Sequence, residues 1–198
     1  MTVIGITGPT GAGKTTALHV LESLGFQVVD CDALYYELLG SDAALRQALE
    51  AAFGKVFLPD GQLDRAALGA VVFGNSKELE RLNGIVFPAV TRAVEERIAA
   101  CTARGLVVDA INLIECGLGA RCDVTVAITA PPEVRLRRIM ARDGIGEAYA
   151  RQRIEAQKKD SYYRKHCDFL LENRAGSQEE FARLIREFFE DFLLTLEE

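Results

Sequence analysis

Apolar residues in this chain follow two patterns, and their alternation along the sequence sets the expected fold. Val3-Ile4-Gly5-Ile6-Thr7 is a short β-rich run with no polar alternation, as in a parallel strand buried on both faces. Over residues 14–24, Leu18, Leu21 and Leu24 keep a helical spacing, and Gly25 is a natural stop. Residues 26–30 form a second strand. Buried-strand patterns recur at residues 106–109, 123–129 and 168–172. Between the second and third strands, residues 34–104 read mainly as helices, at 43–53, 64–73, 75–83 and 88–104, with a turn at Pro59-Asp60-Gly61. Helices are also expected at 133–142, 147–160 and 178–196. The expectation is an α/β fold, a parallel five-stranded sheet covered by helices on both faces. Residues 1–198 form a single domain in this reading, with 34–104 as a helical substrate-binding insert in the long crossover.

Composition narrows the setting. Hydrophobic residues make up 49% of the 198, enough for a substantial core. A net charge of −6 repels a polyphosphate backbone at long range, so no nucleic-acid partner is expected. No stretch is apolar and long enough to span a bilayer, and the chain opens on a strand pattern rather than a basic leader, so no membrane partner and a cytoplasmic setting are expected. The five cysteines are odd in number and none has C-x-x-C spacing, which favours reduced thiols over a disulfide framework or a zinc site. A monomer or weak homo-oligomer is the expected state.

The chemistry enters with the break after the first strand. Gly8-Pro9-Thr10-Gly11-Ala12-Gly13-Lys14-Thr15 fits the phosphate-binding pattern G-x-x-x-x-G-K-[ST], with a strand before it and a helix after. Glycines let backbone amides approach phosphate oxygens, and the helix N-terminus adds partial positive charge. Gly8, Gly11, Ala12, Gly13, Lys14, Thr15 and Thr16 are therefore the candidate nucleotide-binding residues. Lys14 reaches the β- and γ-phosphates and Thr15 is placed to ligate Mg²⁺. The pattern implies a P-loop NTPase or nucleotide-kinase type of fold, with ATP as the nucleotide. No N-K-x-D guanine reader is present, and a small-molecule kinase is the expectation.

Acids stand at two strand ends. Asp32, with Asp30 second, follows the second strand, at the edge of an open α/β sheet where ligands bind. It can hold an acceptor hydroxyl and take its proton, or it can cap a helix. Asp109 ends the third strand, as a Walker-B-like acid holding Mg²⁺ through water or as an ordinary polar residue leaving the core. Glu115 follows, as an acceptor contact or as part of the same polar exit. Arg138 and Arg142 lie four apart on one helix, so they share a face and can flank a triphosphate as a closing lid. The other basic residues of this late region read as a solvated face.

With these parts in place, the chain resembles the dephospho-CoA kinase family over nearly its whole length. The glycine loop and the Val28-Val29-Asp30-Cys31-Asp32 strand end are similar to the family's opening. More specific is Asp60-Gly61-Gln62-Leu63-Asp64-Arg65-Ala66-Ala67-Leu68, running on to Phe73 and Leu82-Asn83, which resembles the family's D-G-x-L-x-R-x-x-L…F…L-N signature. Leu136-Arg137-Arg138 through Arg142-Asp143, then Arg153-Ile154-Glu155-Ala156-Gln157, is similar to its lid and R-I-x-x-Q pattern. The resemblance implies ATP-dependent phosphorylation of the ribose 3′-hydroxyl of dephospho-CoA, the last step of coenzyme A synthesis. It also implies a nucleotide core, a CoA-binding insert over 34–104 and a mobile lid over 138–165. Asp32 falls on the family's catalytic base, and Lys14, Arg138 and Arg142 complete the expected catalytic set. Arg65, Phe87 and Glu115 join Asp32 as expected acceptor contacts. The chain departs from the family in having Phe87-Pro88 for His-Pro and Ile111-Asn112-Leu113-Ile114-Glu115 for P-L-L-x-E. It also has Asn173-Arg174-Ala175 for Asn-Asn-Gly, with Gly176 one place late. Two alternatives stand beside this reading: a kinase for another nucleoside or nucleotide acceptor, and a regulatory protein that binds ATP and CoA-like ligands without transfer.

Overall fold

A computed structural model describes residues 1–195; Leu196, the expected last residue of the final helix, lies outside the described residues. The chain divides into two compact units, residues 1–29 with 101–198 and residues 30–100.

The first unit is built on strands β1 (Thr2–Thr7), β2 (Phe26–Asp30), β3 (Gly105–Asp109), β4 (Val124–Thr129) and β5 (Phe169–Glu172). Their order in the sheet is β2-β3-β1-β4-β5. The β1–β3, β1–β4 and β4–β5 pairs are parallel, with Ile6 opposite Asp109 and Val126. The apolar runs end up in the centre because parallel strands are covered on both faces. Ile4, Ile6, Val107, Val124, Val126 and Ile128 turn to one face, where they meet helices α1 (Lys14–Ser23) and α9 (Gln178–Thr195). Helix α9 presents Phe181, Ile185, Phe189 and Leu193 in one buried stripe, the i, i+4 spacing of an amphipathic helix. A fully buried side chain such as Ile4 or Phe189 contributes about 1.5–3 kcal/mol. The other face carries Gly5, which fits under Leu113 and Cys122 only because it lacks a Cβ.

Helices α6 (Pro132–Asp143), α7 (Glu147–Glu155) and α8 (Asp160–His166) follow β4. Leu136, Ile139 and Ala150 form a small core between α6 and α7. Residues 147–160, expected as one helix, are two. Helix α7 ends at Glu155 with Ala156 as its C-cap, and Gln157 lies in the turn beyond, its side chain bonded to Thr10.

The second unit holds α2 (Cys31–Ser41), α3 (Ala43–Phe53), α4 (Arg65–Val72) and α5 (Ser76–Ala100) around Leu39, Leu45, Leu49, Val56, Leu68, Val72 and Ala89. Helix α2 begins at Cys31, not at 34. Its N-cap is Asp30, whose Oδ1 accepts from the amides of Asp32 and Ala33 at 2.8 and 3.0 Å. Capping therefore falls to Asp30, and the exposed Asp32 lies in the first helical turn. Helix α5 replaces two expected helices, running through Pro88 and ending at Ala100 rather than 104.

Candidate active site

Strand β1 lies between β3 and β4, and the chain leaves its carboxyl end into the loop Gly8 to Gly13. Two glycines are dictated by sterics. At Gly8 the backbone has φ 136°, and a Cβ would sit 2.0 Å from the Ile128 carbonyl oxygen. At Gly13, the N-cap of α1, φ is 109° and a Cβ would sit 2.5 Å from Asn173 Nδ2. No L-residue with a side chain fits either place.

Three successive carbonyls of the loop accept hydrogen bonds from side chains. Arg135 Nε donates to Thr10 O at 2.9 Å. Arg138 Nη1 donates to Gly11 O at 3.2 Å and to Ala12 O at 3.3 Å. Asn173 Nδ2 donates to Ala12 O at 2.9 Å. Within a planar peptide the C=O and the following N–H point in opposite directions. Fixing the carbonyls of 10, 11 and 12 therefore turns the amides of Gly11, Ala12 and Gly13 the other way. Successive inward amides at a helix N-terminus form an anion cradle. The Ala12 amide also makes a 3.3 Å turn bond to Pro9 O, and Thr16 N bonds Gly13 O at 3.1 Å, starting α1. Lys14 Nζ reaches back to Gly8 O at 2.9 Å, and Thr15 is exposed in the first turn.

The arginines of α6 and α7 divide by their partners. Arg135 is 5% exposed, and burial draws its guanidinium pKa down, offset in part by Tyr163 and Asp160. Arg138 is half-buried against the loop; burial, then Arg137, lowers its pKa. Arg142 is not brought beside Arg138's carbonyl partners. It pairs with Asp143, Nε to Oδ1 at 2.6 Å, and Arg153 reaches the same carboxylate at 2.6 Å. Hydrogen bonds from Arg142, then Arg153, hold the Asp143 carboxyl down at about 2.

Asp109 ends β3 half-buried, directly across from Ile6 and so beside the start of the loop. Glu115 is exposed on the turn after β3, with Lys158 Nζ 3.8 Å from its carboxylate. Burial, then the Glu115 charge, pushes the Tyr162 phenol up to about 12. A cavity of about 410 Å³ is lined by Ala130, Pro132, Arg135, Ile154, Gln157 and Lys159 among others. In the helical unit, Arg65 is exposed with its guanidinium 4.4 Å above the Tyr36 ring, and Phe87 is half-buried on α5.

The sequence profile of the family described as dephospho-CoA kinase matches residues 2–179. The chain belongs to the dephospho-CoA kinase family. The dephospho-CoA kinase of Geobacter sulfurreducens is 36% identical over 193 residues, covering 96% of this chain and 98% of that protein. The crystal structure of TT1252 from Thermus thermophilus is 32% identical with a TM-score of 0.78, covering 96% of this chain and 97% of that one. The dephospho-CoA kinase of Campylobacter jejuni, 21% identical with a TM-score of 0.58 and covering 96% of each chain, shares the fold.

For this dephospho-CoA kinase family member, three residues that matter to the loop were not picked out as site residues from sequence: Arg135, Gln157 and Asn173. Arg135 shares a helix face with Ile139, four residues on, and a cation on an apolar face is a legible signal of buried polar work. Gln157 carries the last position of the R-I-x-x-Q pattern. Asn173 follows β5, where its amide continues the ladder to Thr129 O at 2.7 Å. It is 2% exposed, and nothing in sequence tells that its side chain turns towards Ala12.

Proposed function

We propose that this chain transfers the γ-phosphoryl group of ATP to the ribose 3′-hydroxyl of dephospho-CoA, giving coenzyme A and ADP. The observation that carries the reading is the loop 8–15, with the carbonyls of Thr10, Gly11 and Ala12 tied back to Arg135, Arg138 and Asn173, in a chain whose family membership spans 2–179. Gly8, Gly11, Ala12, Gly13, Lys14, Thr15 and Thr16 hold the phosphates. Lys14 leaves the Gly8 carbonyl to bind the β- and γ-oxygens. Asp32, exposed and relieved of capping by Asp30, orients the 3′-hydroxyl and takes its proton as the new O–P bond forms. The bond from γ-phosphorus to the bridging oxygen breaks, and ADP leaves. Arg138, and Arg142 once freed from Asp143, spread the charge that develops on the transferring group.

Thr15 and Asp109 offer a hydroxyl and a carboxylate, the hard oxygen donors that suit Mg²⁺, and Asp109 ends the strand beside the one that feeds the loop. When bound there, Mg²⁺ supplies charge neutralisation on the phosphates. Arg65, Phe87 and Glu115 are the acceptor contacts in this reading, within an acceptor unit over 34–104 and a lid over 138–165. Among the described residues no helix is long and apolar enough to cross a membrane. The five free thiols suit a reducing, cytoplasmic setting.

The test is a coupled ADP-release assay with Mg-ATP and dephospho-CoA, with the product identified by mass. Stoichiometric coenzyme A, absent without acceptor, is the expected result. Protein that binds ATP yet releases no acceptor-dependent ADP would overturn it, and a nucleoside and nucleotide panel would then identify the acceptor.

A further inference from the structure

Thr10 sits at the crown of the phosphate loop, and all three of its polar groups are taken. Its amide donates to Gln157 Oε1 at 3.2 Å. Its carbonyl accepts from Arg135 Nε at 2.9 Å. Its hydroxyl accepts from Gln157 Nε2 at 2.8 Å. Gln157 Oε1 also accepts from Arg135 Nη2, which closes the set. One planar amide thus satisfies Thr10 at two points and is itself fixed by a buried arginine. An amide offers one acceptor and one donor in a rigid fork, and here both ends are used on the same residue.

Two consequences follow from the placement. The Thr10 amide is committed, so this residue anchors the cradle and does not donate to phosphate. Gln157 lies in the turn after α7, which ends at Glu155, and before α8, which begins at Asp160. A displacement of α7 that carries Gln157 with it takes both bonds from Thr10 at once.

We infer that Gln157 is a positioning residue that locks the phosphate loop in its binding shape and ties that shape to the turn between α7 and α8. The inference rests on reading residues 8–15 as the nucleotide cradle. It goes beyond that reading by giving residues 138–165, the proposed lid, a physical connection to the loop through the bonds of Gln157 to Thr10.

The test uses the full chain with Gln157→Ala, Gln157→Glu and Thr10→Val. Binding of the non-hydrolysable analogue adenylyl imidodiphosphate with Mg²⁺ is measured by calorimetry, and amide hydrogen exchange is followed at the loop. Gln157→Ala removes both bonds and weakens nucleotide binding roughly tenfold, the factor that one or two hydrogen bonds represent. Thr10→Val removes only the hydroxyl partner and costs about threefold. Gln157→Glu restores binding to within about threefold of the parent, because a carboxylate accepts from the Thr10 amide, the Thr10 hydroxyl and Arg135. Exchange at the Thr10 amide rises in the alanine variant and returns in the glutamate variant. An alanine variant that melts lower but binds nucleotide with unchanged affinity and unchanged loop exchange would overturn the inference, since Gln157 would then be only structural. Neither readout needs turnover, so a wrong acceptor leaves this outcome legible, and a parent protein that binds no nucleotide at all would instead overturn the cradle itself.

Discussion

Asp30 and Asp32 stand two positions apart and carry different loads. Asp30 holds the amides of Asp32 and Ala33 and so starts α2. Removing an N-cap carboxylate of this kind costs about 1 kcal/mol. Asp32 lies inside the first turn, exposed, where an alanine changes stability by about 0.5 kcal/mol or less. The expected result is a crossed pattern. Asp30→Ala lowers the denaturant midpoint, while Asp32→Ala leaves it in place and lowers turnover by a factor on the order of 10² or more, with ATP affinity nearly intact. Urea unfolding and the ADP-release assay on both variants check it; near-normal turnover in Asp32→Ala would remove it as the base. At this scale much was readable beforehand. The glycines, Lys14 and the acids at the strand ends follow from fixed spacing. Which of two neighbouring aspartates caps, and where the Asn173 side chain turns, depends on a single backbone step and on a chain segment far away in sequence.

At the scale of elements, the buried strands were legible because a parallel sheet needs unbroken apolar runs. The misread boundaries have separate causes. Pro88 suggests a helix start, since a proline inside a helix costs about 3 kcal/mol. In α5 it is exposed, while Leu82, Ile85 and Val86 before it and Ala89 after it pack into one core, and that burial holds the helix through the proline. The break between α7 and α8 has no Gly or Pro to announce it; the bonds of Gln157 to Thr10 and Arg135 set it. The α6–α7 pair also carries a pH signature. Asp143 bridges Arg142 and Arg153, and its carboxyl sits at about 2, below the ordinary value near ~4. A depressed carboxyl stabilises the folded pair above its ordinary value, and that contribution is lost as the pH falls from about 4 through about 2. A carboxyl-carbon NMR titration should place the Asp143 midpoint near the lower figure; α7 amide exchange should rise with acid in the parent, and Asp143→Asn should abolish that rise. A midpoint near the ordinary value would show that the bridge does not persist in solution.

At the scale of the whole molecule, the loop proposed to bind nucleotide belongs to one of two compact units, residues 1–29 with 101–198. A ligand at a hundred times its Kd stabilises the state it binds by about 2.7 kcal/mol. For a chain of this size that moves a melting transition by about 5 °C or more. Calorimetric scans with and without Mg-ATP should therefore show the transition of that unit rising, in the parent and equally in Asp32→Ala, because a base that acts on the acceptor hydroxyl makes no contribution to holding ATP. A variant at Lys14 should show a much smaller rise. If ATP moved nothing, the loop would not be a nucleotide site.

The helical unit is one unbroken run, Asp30–Ala100, entered at a single joint and left at another. Asn173, Arg135 and Gln157, which bond the polar groups of the loop, all lie outside that run. Selection can thus act on the helical run and on the loop's supports as on separate inheritances. On the proposed roles, recombination that exchanges residues 30–100 between related kinases would carry Asp32, Arg65 and Phe87 across as one heritable cassette and leave the loop 8–15 and Glu115 with the recipient.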